Sequence, residues 1–221
     1  MKLIFYTFLF VFSSCASQDR FLKENKTCDF DNQFLTITEK EKQFNKKKYD
    51  SILNIQPIYS IETKELVTTI SKYRIKKRDL KSKFSKFIAY YPSGTIKYHY
   101  NYVENINSHE LKIGKQIYYD ENGKITKTVD FDKGYIICWK EALEIVKKTA
   151  KKEIKNNNII HFIISRAQIT EKPKWTISLI PEEEEEEEEE DEYIDKYVID
   201  GVTGELIGKY KVRTIYDGEV D

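Results

Sequence analysis

The sequence predicts an α+β protein: an antiparallel β-hairpin sheet followed by a helix that packs on a second antiparallel sheet. Two observations favour this class. Strand-like stretches recur around tight turns that contain glycine, and residues 138–154 carry apolar side chains at helical spacing. Period-two alternation is typical of a strand with one buried face, and tight glycine turns join antiparallel neighbours.

The first fifteen residues predict export from the cytoplasm. They consist of a lysine, an apolar run, two serines and Cys15. A basic start, an apolar run of about ten residues and small residues at the end are typical of a secretory signal peptide. The run is too short to cross a bilayer as a helix, which needs roughly twenty apolar residues. We therefore expect residues 1–14 to be a signal peptide.

Small residues directly before Cys15 resemble the lipobox of bacterial lipoproteins. This resemblance implies that the signal is removed before Cys15 and that Cys15 carries the lipid. Residues 15–35 would then be a flexible tether, and a membrane would be the first partner. The expected localisation is the cell envelope, at the periplasmic face or the cell surface. The alternative is an ordinary signal peptide cut nearby, with Cys15 incidental.

Charge is balanced overall, with 37 basic and 37 acidic side chains, but it is unevenly placed. Residues 182–192 are all acidic, which leaves the rest of the mature chain basic by about ten charges. A basic body suits anionic lipid or nucleic acid, and export argues against nucleic acid. We interpret the acidic run as an extended loop, because neighbouring carboxylates repel. The alternatives are a Ca²⁺ site, although EF-hand spacing is missing, and a docking strip that includes Glu182, Glu186 and Glu190.

Two cysteines remain if Cys15 is acylated. An oxidising compartment permits a Cys28–Cys138 disulfide. Closing such a loop stabilises a fold by roughly 4–5 kcal/mol on the chain-entropy account. In the alternative interpretation, Cys28 is a free thiol in the tether and Cys138 is a small core residue.

We expect residues 36–86 to form an N-terminal region that mixes helical and extended segments. Thr38 and Glu41 have the spacing of a capping box, which predicts a helix from about Glu39 to Leu53. Residues 61–75 fit a helix and a strand equally well. The basic stretch 76–86 is either a surface for anionic lipid or a partner, or a solvated connector, and we favour the connector.

Residues 87–135 predict two related hairpins. Residues 90–97 (YYPSGTIK) are echoed by residues 118–125 (YYDENGKI), and both stretches place glycine in the turn. This pattern resembles the MORN-type hairpin repeats of bacterial antitoxin-component-like proteins. The resemblance implies a sheet of stacked hairpins used for binding, without catalysis.

The tyrosines of these hairpins predict either a core or an interaction surface. Alternation places Ile96, Tyr98, Tyr100 and Tyr102 on one face of a strand, and Tyr118 belongs to the second copy of the repeat. Aromatic side chains serve both roles, because they bury a large area at a low entropic cost. The isoleucine on the same face favours the core for Tyr98 and Tyr100.

Residues 136–217 predict a helix followed by several antiparallel strands. An alanine-bearing helix, a strand led by Trp175 and a strand that ends in the stretch from Asp200 to Gly204 resemble the PepSY family of exported domains. The acidic run 182–192 is an insert in that pattern. The resemblance implies a small α+β unit that restrains or binds exported proteins such as peptidases, with no catalytic residues to carry over.

No catalytic, cofactor or metal site is predicted. His99, His109 and His161 are far apart in the sequence and lack partners at metal-ligand spacing. The sequence therefore predicts a non-catalytic, lipid-anchored envelope protein that binds a protein or an envelope component. The alternatives are an immunity or antitoxin-like protein that neutralises a toxin, a restrainer of an exported peptidase and, least favoured, an enzyme.

Overall fold

The computed structural model describes residues 33–104, 110–167, 171–181 and 193–213. They belong to one compact unit, Asp31–Asp221. The predicted α+β class is confirmed, with two antiparallel sheets and a few helices. The first sheet contains β1 (Ile58–Glu62), β2 (Leu66–Ser71), β3 (Arg74–Asp79), β4 (Phe84–Tyr90), β5 (Ile96–Glu104), β6 (Glu110–Tyr119) and β7 (Ile125–Asp130). The second contains β8 (Ile159–Arg166), β9 (Lys174–Pro181), β10 (Tyr193–Asp200) and β11 (Leu206–Arg213).

The seven-stranded sheet is a simple meander in the order β1 to β7. It includes the predicted mixed region as well as the predicted hairpins, and the boundary expected at residues 86 and 87 falls inside β4. Residues 61–75 are extended, apart from the turns. The interpretation of residues 76–86 as a solvated connector is wrong, because they contribute to β3 and β4. Lysine is uncommon in strands, and here Lys76, Lys77 and Lys86 each pair with a glutamate.

The predicted helix from Glu39 to Leu53 is broken in two. A 3-10 turn, Glu39–Lys42, is followed by extended residues and then by α1 (Lys46–Ile55). The break lets Phe44 enter the core, where it is 5% exposed, and lets its backbone N–H donate to Gly94 O at 2.7 Å. Gly94 has φ 97°. A positive φ of this size favours glycine. Gly94 therefore allows the turn whose carbonyl oxygen holds the backbone of Phe44.

One face of the seven-stranded sheet, here called the core face, is covered by residues 33–55. Its apolar cluster consists of Phe44, Ile70, Ile75, Ile88, Tyr90 and Ile96. The opposite face, here called the tyrosine face, carries Phe87, Ala89, Tyr98, Tyr100 and Tyr102. The expectation that Ile96 shares a face with the tyrosines is wrong, because a register shift between Ala89 and Tyr90 turns Ile96 into the core cluster.

The helix predicted at residues 138–154 forms α2 (Trp139–Thr149) and α3 (Lys151–Asn156). Its apolar stripe packs on the four-stranded sheet, in the order β11-β10-β9-β8, where Trp175 and Ile177 are fully buried. Trp175 Nε1 donates to Ile137 O at 2.7 Å. A Cβ at Gly201 would lie 2.6 Å from the Tyr135 ring, so glycine is required at that turn. No helix among the described residues is long and apolar enough to span a membrane.

Candidate functional site: a groove between the two sheets

Several residues singled out in the sequence lie outside the described residues: Cys15, Cys28, His109, Glu182, Glu186 and Glu190. Cys138 lies directly before α2 and is disulfide-bonded. The pairing with Cys28 stays a prediction, because that cysteine is not among the described residues. Glu141 Oε2 accepts a hydrogen bond from Cys138 N at 3.0 Å and so completes the cap of the helix.

The structure brings Tyr98, Tyr100 and Tyr118 together on the tyrosine face. Ring centroids are 6.4 Å apart between Tyr98 and Tyr100, and 5.7 Å apart between Tyr98 and Tyr118. Phe87 stacks on Tyr100 at 5.1 Å, with the two rings only 19° from parallel. Tyr100 is buried, whereas Tyr98 and Tyr118 are half-buried. This tyrosine stack therefore contributes both to packing and to the molecular surface.

Charged side chains of the same face lie across the tyrosine stack. Lys76 pairs with Glu110 at 3.1 Å, and Arg78 pairs with Glu104 at 3.1 Å. Tyr100 Oη donates to Glu110 Oε2 at 2.8 Å. Burial, assisted by this hydrogen bond and by the charge of Glu110, raises the pKa of Tyr100 above its ordinary value. The hydroxyl of Tyr100 therefore remains a donor at neutral pH.

A cleft of about 600 Å³ lies where the tyrosine face meets the helix-free face of the four-stranded sheet. We call it the corner groove. It is lined by Glu110, Leu111, Lys112, Phe131, Ile163, Ile164, Ser165, Arg166, Thr176, Ser178, Ile180, Ile194 and Lys196. Its volume is within the range of ligand sites, which are often found at such junctions.

Lys112 joins the corner groove to the tyrosine stack. Its Nζ lies 4.5 Å from the centroid of Tyr100 and 5.4 Å from that of Phe131. The rings favour a cation at these distances, so the lysine is held against aromatic surface. The tyrosine stack and the corner groove therefore form one continuous surface, with Lys112 and Glu110 at their junction.

Arg166 fixes the angle between the two sheets at this site. Its guanidinium donates to the backbone oxygens of Phe131 and Lys112 and to Asp132 Oδ1, the last at 3.0 Å. It also lies 5.0 Å from the Trp175 ring. The side chain is 11% exposed. A planar guanidinium with several N–H donors suits this role, because Arg166 of β8 can bind several acceptors next to the seven-stranded sheet at once.

The corner groove has an excess of positive charge. The charge of Glu110 is balanced by Lys76, and that of Arg166 by Asp132. Neither Lys112 nor Lys196 forms an ion pair within the described part of the chain. The apolar side chains of the lining, next to these two lysines, can bind a ligand that has both apolar groups and carboxylates.

A second ionic cluster, buried on the core face, was missed in the sequence. Glu41 accepts from Lys77 Nζ at 2.6 Å and from Lys86 Nζ at 3.0 Å. Lys86 is 2% exposed and also donates to Thr36 O. Burial alone would raise the pKa of Glu41, but hydrogen bonds and the lysine charges outweigh it and lower that pKa to about 2. The cluster attaches residues 33–42 to the middle of the sheet.

His99 lies beside this cluster and is 6% exposed. Burial, with the charge of Lys86, lowers the pKa of His99 to about 4. Its Nδ1 lies 3.4 Å from Tyr119 Oη. His99 is therefore a neutral core residue at neutral pH. His161 is exposed on β8. No cluster of potential metal ligands occurs among the described residues.

The lysines of the corner groove were also missed, and the sequence held no signal for them. A lysine inside an alternating strand is ordinarily expected to face solvent. Lys112 and Lys196 are 84 residues apart in the chain and belong to different sheets, so only the fold brings them to one groove. Comparison of the chain with protein-family models, with curated proteins and with solved structures gave no match.

Proposed function

We propose that this protein is a non-catalytic, lipid-anchored protein of the cell envelope that works by binding another protein or an envelope component. The observation that carries the binding proposal is the corner groove with the adjoining tyrosine stack. Half-buried tyrosines next to an apolar cleft are typical of binding surfaces, because they add contact area with little loss of entropy. The envelope location rests on the signal-like segment and on Cys15.

Site-specific photocrosslinking in native envelopes tests the binding proposal. A photoreactive phenylalanine would replace Ser165, which is exposed and lines the corner groove. The matched control replaces Ile125, which is 55% exposed on an edge strand away from the groove. We expect a discrete crosslinked species from position 165 and none from position 125. Equal crosslinking at both positions, or none at position 165, would contradict the proposal.

Metabolic labelling with a clickable fatty acid tests the anchor separately. We expect label on the native chain and no label on the Cys15→Ser variant. Label that persists in the variant, or an unlabelled native chain, would refute the lipid anchor and leave the binding proposal standing.

A second candidate, restraint of an exported peptidase, is favoured by the C-terminal architecture. A helix packs on a four-stranded antiparallel sheet, with Trp175 buried beneath it and a glycine turn after β10. This candidate predicts that the crosslinked species is a peptidase and that deletion of the gene raises its activity in envelopes. Unchanged activity of the crosslinked peptidase would argue against restraint.

A further inference from the structure

We propose that the corner groove binds an extended, acidic segment of a partner protein, in which carboxylates and apolar side chains alternate on one edge. This inference rests on the proposed function, because it names the partner chemistry of the same site. It follows from three properties of the groove: its charge, the spacing of its lining along β10, and the mixture of polar and apolar side chains on its sheet wall.

Charge selects an anionic ligand. Lys112 stands on one wall of the corner groove and Lys196 on the other, and neither has an acidic partner within the described residues. The acid that does line the groove, Glu110, already accepts from Lys76 and Tyr100. A carboxylate bound next to either lysine would therefore gain a cationic partner without displacing an existing ion pair.

Spacing selects an extended chain. Ile194 and Lys196 are two residues apart on β10, so their side chains share one face of the sheet at a separation of about 7 Å. Alternate side chains of an extended peptide have the same separation. A peptide that runs along β10 can therefore place an apolar side chain against Ile194 and, two residues later, a carboxylate against Lys196.

The wall favours a peptide over a lipid chain. The row that contains Lys196 continues through Ser178 to Ile163, and the next row pairs Thr176 with Ser165. Ile180 and Ile194 also line the groove, so apolar and hydroxyl-bearing side chains are mixed on this wall. An acyl chain has no polar groups to match the hydroxyls, but an extended peptide presents side chains of both kinds.

Fluorescence anisotropy with labelled octapeptides and the purified full-length chain tests the inference. The probe is Glu-Ser-Leu-Ser-Glu-Ser-Leu-Ser, which places carboxylates and leucines on one edge when it is extended. Two control peptides replace every Glu by Lys or every Leu by Ser. We expect saturable binding of the probe, weakened by salt because the contacts are charged. Equal binding of either control peptide would overturn the inference.

Variants locate the binding. We expect Lys112→Gln and Lys196→Gln each to weaken the probe about tenfold, as loss of a charged contact does. Lys115→Gln is the matched control, because Lys115 is an exposed lysine of the same strand as Lys112 and lies outside the groove lining. Thermal unfolding confirms that each variant is folded. Equal weakening by all three variants would show nonspecific attraction and overturn the inference.

Soluble dihexanoyl phosphatidylglycerol separates a lipid ligand from a peptide. If this lipid binds with the same dependence on Lys112 and Lys196 and the octapeptide does not bind, the inference is wrong. Failure of the octapeptide together with a protein crosslink at position 165 would also refute it, while the proposed function would stand.

Discussion

The two faces of the seven-stranded sheet are buried by different means. On the core face, a separate stretch of chain, residues 33–55, covers the strands with Phe44 and closes an ionic cluster around Glu41. On the tyrosine face, long side chains of the sheet itself lie across the aromatic rings. Every residue of β4 is buried although its side chains alternate between the two faces.

This difference shows that burial alone does not reveal how a side chain is held. On the core face, the charge of Lys86 is excluded from water and is compensated by one carboxylate, that of Glu41. On the tyrosine face, the paired side chains of Arg78 and Glu104 remain partly exposed. Buried charges interact in a low dielectric, and exposed ones are screened. The two faces should therefore respond differently to mutation, pH and salt.

The largest expected effect is on the core face. Glu41→Gln removes the charge that compensates Lys86 and Lys77, and an uncompensated buried charge costs about 3–5 kcal/mol. We expect a corresponding fall in the free energy of unfolding, measured with urea. The control is Glu39→Gln, because Glu39 is exposed and pairs with Lys42 at the surface. If both variants lose the same stability, the cluster around Glu41 is not what secures residues 33–42.

A pH titration should separate His99 from Glu41 on that face. The pKa of His99 falls to about 4 in the fold, so the unfolded chain binds more protons below pH 6.5. Its contribution, up to about 3 kcal/mol, is present above that pH and is lost as the pH falls from 6.5 to 4. Protonation of Glu41 also lowers the free energy of unfolding as the pH falls, but only between its unfolded pKa of 4.5 and its folded pKa of about 2.

We therefore expect His99→Gln to flatten the pH dependence of unfolding between pH 6.5 and 4 and to leave the slope below pH 4 unchanged. His161→Gln is the control, since His161 is exposed. An unchanged slope between pH 6.5 and 4 in His99→Gln would contradict the assignment of that range to His99.

A smaller effect should measure how well the tyrosine face packs. Phe87→Leu removes ring contacts with Tyr98 and Tyr100 at 5.8 and 5.1 Å, which are worth about 1–2 kcal/mol together. Ile88, the next residue of β4, faces the core side and supplies the comparison. Ile88→Val should lower the free energy of unfolding by about 0.5–1.5 kcal/mol. A loss below a few tenths of a kcal/mol for Phe87→Leu would show that the rings contribute little to stability.

The smallest expected effect concerns the ion pairs of the tyrosine face. Arg78→Gln breaks the pair with Glu104, whose two side chains are 44% and 33% exposed, and should cost less than about 1 kcal/mol. In 1 M salt we expect this difference to vanish, while that of Glu41→Gln persists. Equal salt sensitivity of the two variants would remove the distinction between the faces.

The sequence predicted those elements whose local pattern agrees with the fold. β10 ends at Asp200, where the sequence predicted the end of a strand, and the glycine turns at Gly94 and Gly123 join strands as predicted. The turn between β2 and β3 was missed because it contains Tyr73 at φ 58°, where glycine or asparagine is usual. Tertiary contacts decide that conformation, and they leave no local signal.

The candidate site was predictable in part. Alternation placed Tyr98, Tyr100 and Tyr102 on one face, as the structure has them, because strand period is a local property. It also placed Ile96 on that face, which is wrong because a register shift is not a local property. The corner groove depends on how the two sheets meet. Arg166, at the end of β8, joins them, and no neighbouring residue in the sequence indicates its partners. The same holds for Glu41, whose lysine partners are 36 and 45 residues away along the chain.

Residues 33–42 also determine where a pulling force on this segment would act on the seven-stranded sheet. Lys86 of β4 donates hydrogen bonds to Thr36 O and to Glu41, so a pull on residues 33–42 is passed to β4. β4 is the middle strand of seven, so its neighbours on both sides share the force. A segment fastened to a central strand therefore resists being peeled away better than one fastened to an edge strand.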